Sequence, residues 1–260
     1  MIGDDTNTIL CLDDNWKELK RIELFSYPEI RIPKPEKPDL ECAAIAGNIL
    51  YILGSGSRSP QRDVAYFVNL QDDSVKRANI AAFYNLFRDR HLIAEMNIEG
   101  FTVCKDKVLF FNRGNTQQPN HLFIADKKIL TRRFPDRFKV IPVNIGQLKN
   151  IQLGISGACY DEKKDILFIT ASAENTNNAY DDGEVAGSVL GVIYNADKKL
   201  DKPELNIDDI IDLEKTDKIF AGQKIESVCI IKAADKNYTL TLVSDNDKGN
   251  STLFEVQLTL

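Results

Sequence analysis

Ile98-Glu99-Gly100-Phe101 opens an apolar segment with one polar residue just inside its start. After this opening come a second apolar strand that ends in small or polar residues, a polar loop and a third strand. Three consecutive antiparallel strands make most of a propeller blade. The pattern occurs four times, with openings centred on Glu41, Glu99, Ser156 and Glu226.

A fragment at the N-terminus belongs to the same series. Ile2-Gly3-Asp4-Asp5 resembles the end of a second strand, and residues 8–12 resemble a third strand. Fourth strands are predicted at 18–25, 76–84, 139–143 and 207–213, although the apolar spacing over 79–90 also fits a short amphipathic helix. We therefore predict an all-β chain, a five-bladed β-propeller with antiparallel blades and an incomplete first blade, which forms one domain over residues 1–260.

Composition narrows the class of partner. The chain has 43% hydrophobic and 28% charged residues, enough apolar material for a core, and no apolar run approaches the roughly 20 residues of a membrane span. The formal net charge is -6, and no segment concentrates Lys and Arg. These features predict neither nucleic acid nor membrane as a partner, and they leave protein partners undetermined.

The cysteines and histidines argue against several kinds of site. Five cysteines without a Cys-x-x-Cys pair predict neither a disulfide framework nor a zinc site, and two histidines, His91 and His121, make a histidine-based triad improbable. The first residues do not have the pattern of a signal peptide. We therefore expect a cytoplasmic protein, or an exported one if the chain is truncated at its start.

The repeat predicts a functional face. In a propeller the opening of each first strand lies beside the end of the second strand, so Glu41, Glu99 and Glu226 are expected around the central mouth. Three glutamates there would repel one another unless a cation or arginines compensate them. Calcium accepts six to eight oxygen ligands in irregular geometry, so these glutamates are candidate calcium ligands. Two other roles stay open, namely holding neighbouring blades together and direct catalysis.

Polar residues near the ends of second strands complete the predicted mouth. Arginine forks suit carboxylate or phosphate, so a small anionic or polyhydroxylated ligand is the expected partner of this face. The alternative is that the arginines pair with the glutamates. The segment 173–187 is predicted to form a flap over the mouth, and 245–249 a hairpin turn. The candidate ligand-binding residues are Arg58, Arg113, Asn115, Ser156, Glu174 and Asp245.

Several of these motifs together resemble an uncharacterised bacterial β-propeller family, a domain of unknown function. The likeness rests on Asp39-Leu40-Glu41, Asn97-Ile98-Glu99-Gly100, Asn112-Arg113-Gly114-Asn115, Ser156-Gly157-Ala158 and Ser244-Asp245-Asn246-Asp247. The blade opening is similar, more loosely, to phytase-like, esterase-like and calcium-dependent lactonase propellers. The resemblance implies a propeller with a central site that holds calcium, but no activity, and Ser156 departs from the glutamate pattern.

Two functions of different classes follow. The favoured one is a binding propeller that holds a ligand or a partner at its central mouth, because the sequence pairs no nucleophile with a base. The alternative is a calcium-dependent hydrolase of an ester, lactone or phosphoester, with Glu41, Glu99 and Glu226 as ligands or base and with Arg58 and Arg113 steadying negative charge.

Overall fold

The computed structural model describes residues 1–89, 93, 95–130, 138–178, 183–245 and 249–260. These residues form β-sheets with a few short helices, and they fall into two compact units, residues 1–92 and 93–260. Within the described ranges, no helix has the length and apolar character needed to cross a bilayer.

The first unit contains two sheets and one helix. Strands β1 (Thr8–Leu12) and β2 (Glu18–Glu23) form a two-stranded ribbon, whose Ile9 and Ile22 pack in one core with Ile52 and Tyr66 of the second sheet. Helix α1 (Ala81–Arg88) follows that sheet and buries Phe83, Tyr84 and Phe87. The second sheet is an antiparallel meander of β3 (Leu40–Ala46), β4 (Ile49–Gly54), β5 (Val64–Asn69) and β6 (Val75–Asn79).

The second unit contains three sheets, each built on an antiparallel meander. The first consists of β7 (Ile98–Cys104), β8 (Lys107–Asn112), β9 (Asn120–Asp126) and β10 (Phe138–Asn144), with β15 (Leu205–Asn206) parallel to β10. The second consists of β11 (Gln147–Leu148), β12 (Ile151–Asp161), β13 (Ile166–Asn175), β14 (Glu184–Tyr194) and β16 (Asp209–Asp212). The third consists of β17 (Lys224–Ala234), β18 (Asn237–Asp245) and β19 (Ser251–Thr259). Short helices α2 (Ala196–Lys199) and α3 (Leu213–Thr216) and 3-10 turns at Lys127–Leu130 and Lys218–Phe220 connect them.

The three sheets of the second unit stand side by side, with their first strands β7, β12 and β17 as neighbours. Asn120 bridges the first two sheets, because its side chain donates to the Leu153 carbonyl at 2.7 Å and accepts from the Ile155 amide at 2.8 Å. Gly157 allows the next close approach, since a Cβ there would lie 2.8 Å from Ser227 Cα. The unit therefore has the blade-by-blade arrangement of a propeller.

A β-bulge interrupts the first strand of all four meanders at the residue that the sequence pattern singles out. The register shifts between Leu40 and Cys42, between Ile98 and Gly100, between Ile155 and Gly157, and between Ile225 and Ser227. The extra residues are Glu41, Glu99, Ser156 and Glu226. A bulge re-aims the side chain of its extra residue, so the recurring opening encodes a repeated change of side-chain direction.

The all-β class and the blade-like repeats are confirmed, but the count of five blades is not supported. Among the described residues, four sheets have three or more strands, whereas the N-terminal sheet has only β1 and β2. The predicted second strand at the N-terminus is reduced to a single bridge between Ile2 and Ile9, so this fragment does not build a blade. Both predictions for 76–90 hold in part, since β6 is followed by helix α1. That the chain forms a single domain stays a prediction.

Candidate functional site

Three sheets of the second unit bring charged side chains together at one end. In each sheet the start of the first strand pairs with the end of the second, as Ile98 does with Asn112 and Lys224 with Asp245. The bulge residues therefore lie beside the ends of the second strands. We call the resulting cluster the ion network; it consists of Glu99, Arg113, Glu174, Lys224 and Glu226.

Arginine and lysine alternate with carboxylates in this network. Arg113 Nη1 donates to Glu99 Oε2 at 2.7 Å, and its Nη2 donates to Glu174 Oε2 at 2.8 Å. Lys224 Nζ lies 3.1 Å from Glu226 Oε1 and 3.7 Å from Glu174 Oε2. Arg113 and Lys224 thus link carboxylates of three sheets. Glu99 lies in β7, Glu226 in β17 and Glu174 in β13.

Burial decreases across the network toward one side. The side chains of Arg113 and Glu174 are each 6% exposed, whereas that of Glu226 is 27% exposed. Asn97 anchors the buried side, because its amide donates to Glu99 Oε1 at 2.7 Å. Solvent therefore reaches the network mainly at Glu226.

Electrostatics make two of the glutamates unusually weak acids. Burial raises the pKa of Glu226 to about 7, and the negative charges of Glu99 and Asp245 add to that shift, although Lys224 opposes it. Burial also raises the pKa of Glu99, against the opposing charges of Arg113 and Lys224. The carboxylates Glu99, Glu174 and Glu226 exceed the two cations in number, so proton uptake near neutral pH relieves repulsion within the network.

Ser156 takes the bulge position in the second sheet of this unit but does not join the network. Its hydroxyl donates to the Ile225 carbonyl at 2.6 Å, and the Ser172 hydroxyl donates to the same oxygen at 3.0 Å. Ser156 therefore fastens β17 to the neighbouring sheet, and its part in ligand binding stays a prediction.

The first unit has its own charged group, the aspartate cluster, formed by Asp4, Lys37, Asp39, Glu41 and Arg62. Lys37 Nζ pairs with Asp4 and, at 2.8 Å, with Asp39 Oδ1. Arg62 Nη1 donates to Asp39 Oδ2 at 2.5 Å. Burial alone would raise the pKa of Asp39, but the charges of Lys37 and Arg62 outweigh it and lower that pKa.

The predicted site residues therefore separate into groups. Arg113, Glu174, Glu99 and Glu226 meet in the ion network, and Asp245 adds its charge to the field at Glu226. The pairing of Arg113 with two glutamates is the alternative that the sequence analysis left open.

The other predicted residues lie elsewhere. Asn115 lies in the loop after β8, where it donates to Glu95 Oε2 of the segment before β7 at 3.2 Å and accepts from the amide of Gln117. Arg58 and Glu41 belong to the first unit, where Arg58 is exposed. The predicted flap is shorter than expected, since β13 extends to Asn175 and β14 begins at Glu184, and its residues 179–182 lie outside the described residues. The same holds for 246–248 of the predicted hairpin and for His91.

Sequence reasoning missed Lys224, Lys37 and the central place of Asp39. A usable signal was present, because the residue two positions before each bulge glutamate is polar: Asp39, Asn97 and Lys224. Lys224 lies in β17, where residues two positions apart project on the same side apart from the distortion at the bulge, whereas Asp39 and Asn97 come just before their strands.

Carboxylates that a metal ion would need are present in both groups, but cations of the chain contact most of them. Oxygen atoms of Asp4, Asp39 and Glu41 lie within 4.8 Å of one another, which is compatible with a calcium ion. Lys37, however, pairs with two of these three carboxylates, and its pKa is raised by Asp39, Glu41 and Asp4 against the effect of burial. A metal ion would have to displace the Lys37 ammonium.

Comparison with known proteins gives a family and a set of weak structural likenesses. A family model described as "Family of unknown function (DUF6929)" matches residues 1–258. No curated protein matches the chain. Among solved structures, a member of the duf4221 family from Bacteroides vulgatus is 12% identical, with 96% of this chain and 72% of that chain covered and a TM-score of 0.39.

Two further solved structures are similarly weak matches. The 2S albumin seed protein from Dolichos is 12% identical over 85% of this chain and 94% of its own, with a TM-score of 0.41. The β-propeller domain of the Trilobed protease from Pyrococcus furiosus is 10% identical over 85% of this chain and 57% of its own, with a TM-score of 0.31. Likeness at this level transfers no activity.

Proposed function

The chain belongs to a family of unknown function, DUF6929, and we propose from its own residues that it is a binding protein that holds a small polyhydroxylated or anionic ligand at the ion network. The observation that carries the proposal is the alternation of donors and acceptors from Glu99 through Arg113, Glu174 and Lys224 to Glu226.

Hydroxyl groups both donate and accept hydrogen bonds. A ligand with several hydroxyls therefore matches a surface on which carboxylates alternate with cations, and charged partners make each such hydrogen bond stronger than a neutral one. The ion pairs also hold the side chains in place before a ligand arrives, which reduces the entropy cost of binding. Glu226, Lys224 and Glu99 are the partly exposed members that a ligand would contact first.

The contacts of the network carboxylates and of His121 favour binding over catalysis. Each carboxylate of the network contacts a cation, and the described hydrogen bonds join no Ser or Cys nucleophile to the imidazole of His121. A nucleophile without a base at hydrogen-bond distance lacks the means of activation that acyl transfer needs.

A thermal-shift screen with neutral sugars, polyols, sugar acids and sugar phosphates tests the proposal. Hits are measured by calorimetry on the wild type, on Glu99→Gln and on the matched control Glu162→Gln, which changes an exposed glutamate of a turn. We expect one ligand class to bind the wild type and the control alike and to lose at least about tenfold in affinity with Glu99→Gln. Equal affinity for all three proteins would place the ligand elsewhere.

A calcium-dependent hydrolase is the second candidate, favoured by the closeness of the Asp4, Asp39 and Glu41 carboxylates. Calcium bound there would polarise an ester, lactone or phosphoester and activate water. Metal content by mass spectrometry, melting temperature with and without chelator, and turnover of generic esters test this candidate. One bound calcium ion per chain, lost in Glu41→Gln together with turnover, would support it. A protein without metal and without a shift on chelation would exclude it.

A further inference from the structure

Strand β19 forms the outer edge of the last sheet. Within the described ranges it pairs with β18 alone, and no bulge interrupts that pairing. Leu260 donates its amide to the Lys236 carbonyl at 2.9 Å, and the alternation of an antiparallel ladder then fixes which backbone groups of β19 turn away from β18. They are the groups of Leu253, Glu255, Gln257 and Thr259. In the part of the chain that the structure describes, no backbone hydrogen bond from outside the β18–β19 ladder reaches these four residues.

The other outer strands have features that discourage pairing with a further strand. β2 contains Lys20 and Arg21, β6 contains Lys76 and Arg77, and β15 and β16 have only two and four residues. β19 has nine residues, no Pro, Lys or Arg, and Glu255 as its single charge. Exposed edges are normally protected by shortness, charge, Pro or a bulge, so β19 is the edge best suited to accept another strand.

The side chains of β19 fit a second copy of the same strand in one antiparallel register. With the two Val256 residues opposite each other, Phe254 faces Leu258 of the second copy, and Glu255 faces Gln257 of the second copy. Each carboxylate then accepts from an amide, whereas a register centred on Glu255 would place two like charges opposite each other. The Val256 register also joins the outward backbone groups to one another through about eight hydrogen bonds.

We propose that β19 is a dimerisation surface, at which two copies of the chain pair antiparallel around a two-fold axis and join their three-stranded sheets into one. The side chains of Glu255 and Gln257 are exposed, and those of Val256 and Leu258 are half-buried and would lose further apolar surface. One strand from each copy buries less area than a typical stable interface. We therefore expect a weak dimer, with a dissociation constant of roughly 1–100 μM.

Sedimentation equilibrium of the full chain over about 1–500 μM tests the proposal through the charge at position 257. Gln257→Glu places a like charge opposite Glu255 of the second copy at two points, so we expect dimerisation to weaken about tenfold. Gln257→Lys places opposite charges at the same two points and is expected to strengthen dimerisation about fivefold at low salt. The two substitutions thus act in opposite directions at one exposed position.

Matched controls separate this surface from the net charge of the protein. Gln147 is exposed on β11, so Gln147→Glu and Gln147→Lys repeat the two charge changes away from β19 and should dimerise as the wild type does. The double variant Glu255→Lys with Gln257→Glu restores opposite charges across the axis and is expected to recover the dimer. Melting temperatures of all variants show whether each one is folded.

Monomers at every concentration in both the wild type and Gln257→Lys would overturn the proposal. A dimer that responds equally to substitutions at 147 and 257, or to neither, would also overturn it, because such a dimer would use another surface. The proposal is independent of ligand binding at the ion network, so Glu99→Gln is expected to dimerise as the wild type does.

Discussion

The aspartate cluster and the ion network occupy the same place in their sheets, at the start of a first strand and the end of a second, but they treat their central carboxylates differently. Asp39 contacts Lys37, Arg62 and the Ser57 hydroxyl, and the charges of its two cations lower its pKa against the effect of burial. Glu226 directly contacts Lys224, but burial and the charges of Glu99 and Asp245 outweigh that lysine and raise the pKa of Glu226 to about 7.

The difference shows that carboxylates at the same end of two sheets can differ in whether they stay ionised or exchange protons near neutral pH. Two cations and the hydroxyls of Ser55 and Ser57 hold Asp39 ionised, which suits a structural role. Burial and the charges of Glu99 and Asp245 leave Glu226 ready to exchange a proton near neutral pH, which suits a site whose charge changes when a ligand binds.

The largest effect is expected from Arg62→Met in the aspartate cluster. Removing the guanidinium leaves Asp39, which is 3% exposed, with part of its charge uncompensated. We expect the free energy of unfolding to fall by about 3–5 kcal/mol at pH 7, as for other broken buried ion pairs. Arg58→Met, in the same segment but exposed, is the matched control and should stay within about 0.5 kcal/mol of the wild type in urea unfolding.

Arg113→Met provides the matching change in the ion network, with a smaller expected loss of about 2 kcal/mol at pH 7. The loss is smaller because burial raises the pKa of Glu99, so this carboxyl can take up a proton when its guanidinium partner is gone. Chemical denaturation at several pH values should show the loss shrinking toward pH 5. A loss as large as that of Arg62→Met and independent of pH would erase the proposed difference between the two clusters.

Glu226→Gln is expected to stabilise the protein. A carboxyl whose folded pKa of about 7 exceeds its ordinary value of 4.5 binds a proton more readily in the folded state, so its ionisation costs stability as pH rises through that window. The variant should gain about 1–3 kcal/mol above pH 7, at about 1.4 kcal/mol per pKa unit, and nothing below about pH 4.5.

Asp39→Asn is the contrasting variant for that experiment. The pKa of Asp39 is lowered, so its ionised form contributes stability above the ordinary value of 3.8 and loses that contribution only as pH falls further. Denaturation curves should therefore show a destabilised Asp39→Asn at every pH above about 5. A gain in stability with Asp39→Asn would contradict the role of Asp39 as a stabilising ionised carboxylate. A loss with Glu226→Gln above pH 7 would contradict the raised pKa of Glu226.

Ser156→Ala should have the smallest effect. The substitution removes one of two hydroxyl donors to the Ile225 carbonyl, and Ser172 remains to satisfy that oxygen. A loss of about 1 kcal/mol in thermal unfolding is expected, typical of one neutral hydrogen bond. A much larger loss, or loss of ligand binding with unchanged stability, would give Ser156 a role beyond fastening β17.

The strands could be predicted from the sequence because apolar segments of strand length recur in the same order in each blade. The opening residues Glu41, Glu99, Ser156 and Glu226 were recognised as equivalent, and the structure explains why: each is the extra residue of a bulge. The count of blades was wrong because an isolated N-terminal pattern does not reveal whether enough strands meet to build a sheet.

The site was predicted only in part. Arg113, Glu174, Glu99 and Glu226 were selected correctly as neighbours at strand ends, because the strand pattern fixes that register. The pairing of carboxylates with Lys37 and Lys224 was missed, since a lysine in a polar segment looks like any solvated surface residue. Only the folded arrangement shows that these ammonium groups stand among the carboxylates where the sequence suggested calcium.

The most direct test is a carboxyl titration by carbon-13 NMR, in which Glu226→Gln and Asp39→Asn assign the two signals. We expect the Glu226 carboxyl to titrate near pH 7 and the Asp39 carboxyl to stay ionised down to at least its ordinary value of 3.8. Titration of both carboxyls below about pH 5 would contradict the proposed difference, because Glu226 would then have no proton to exchange under neutral conditions.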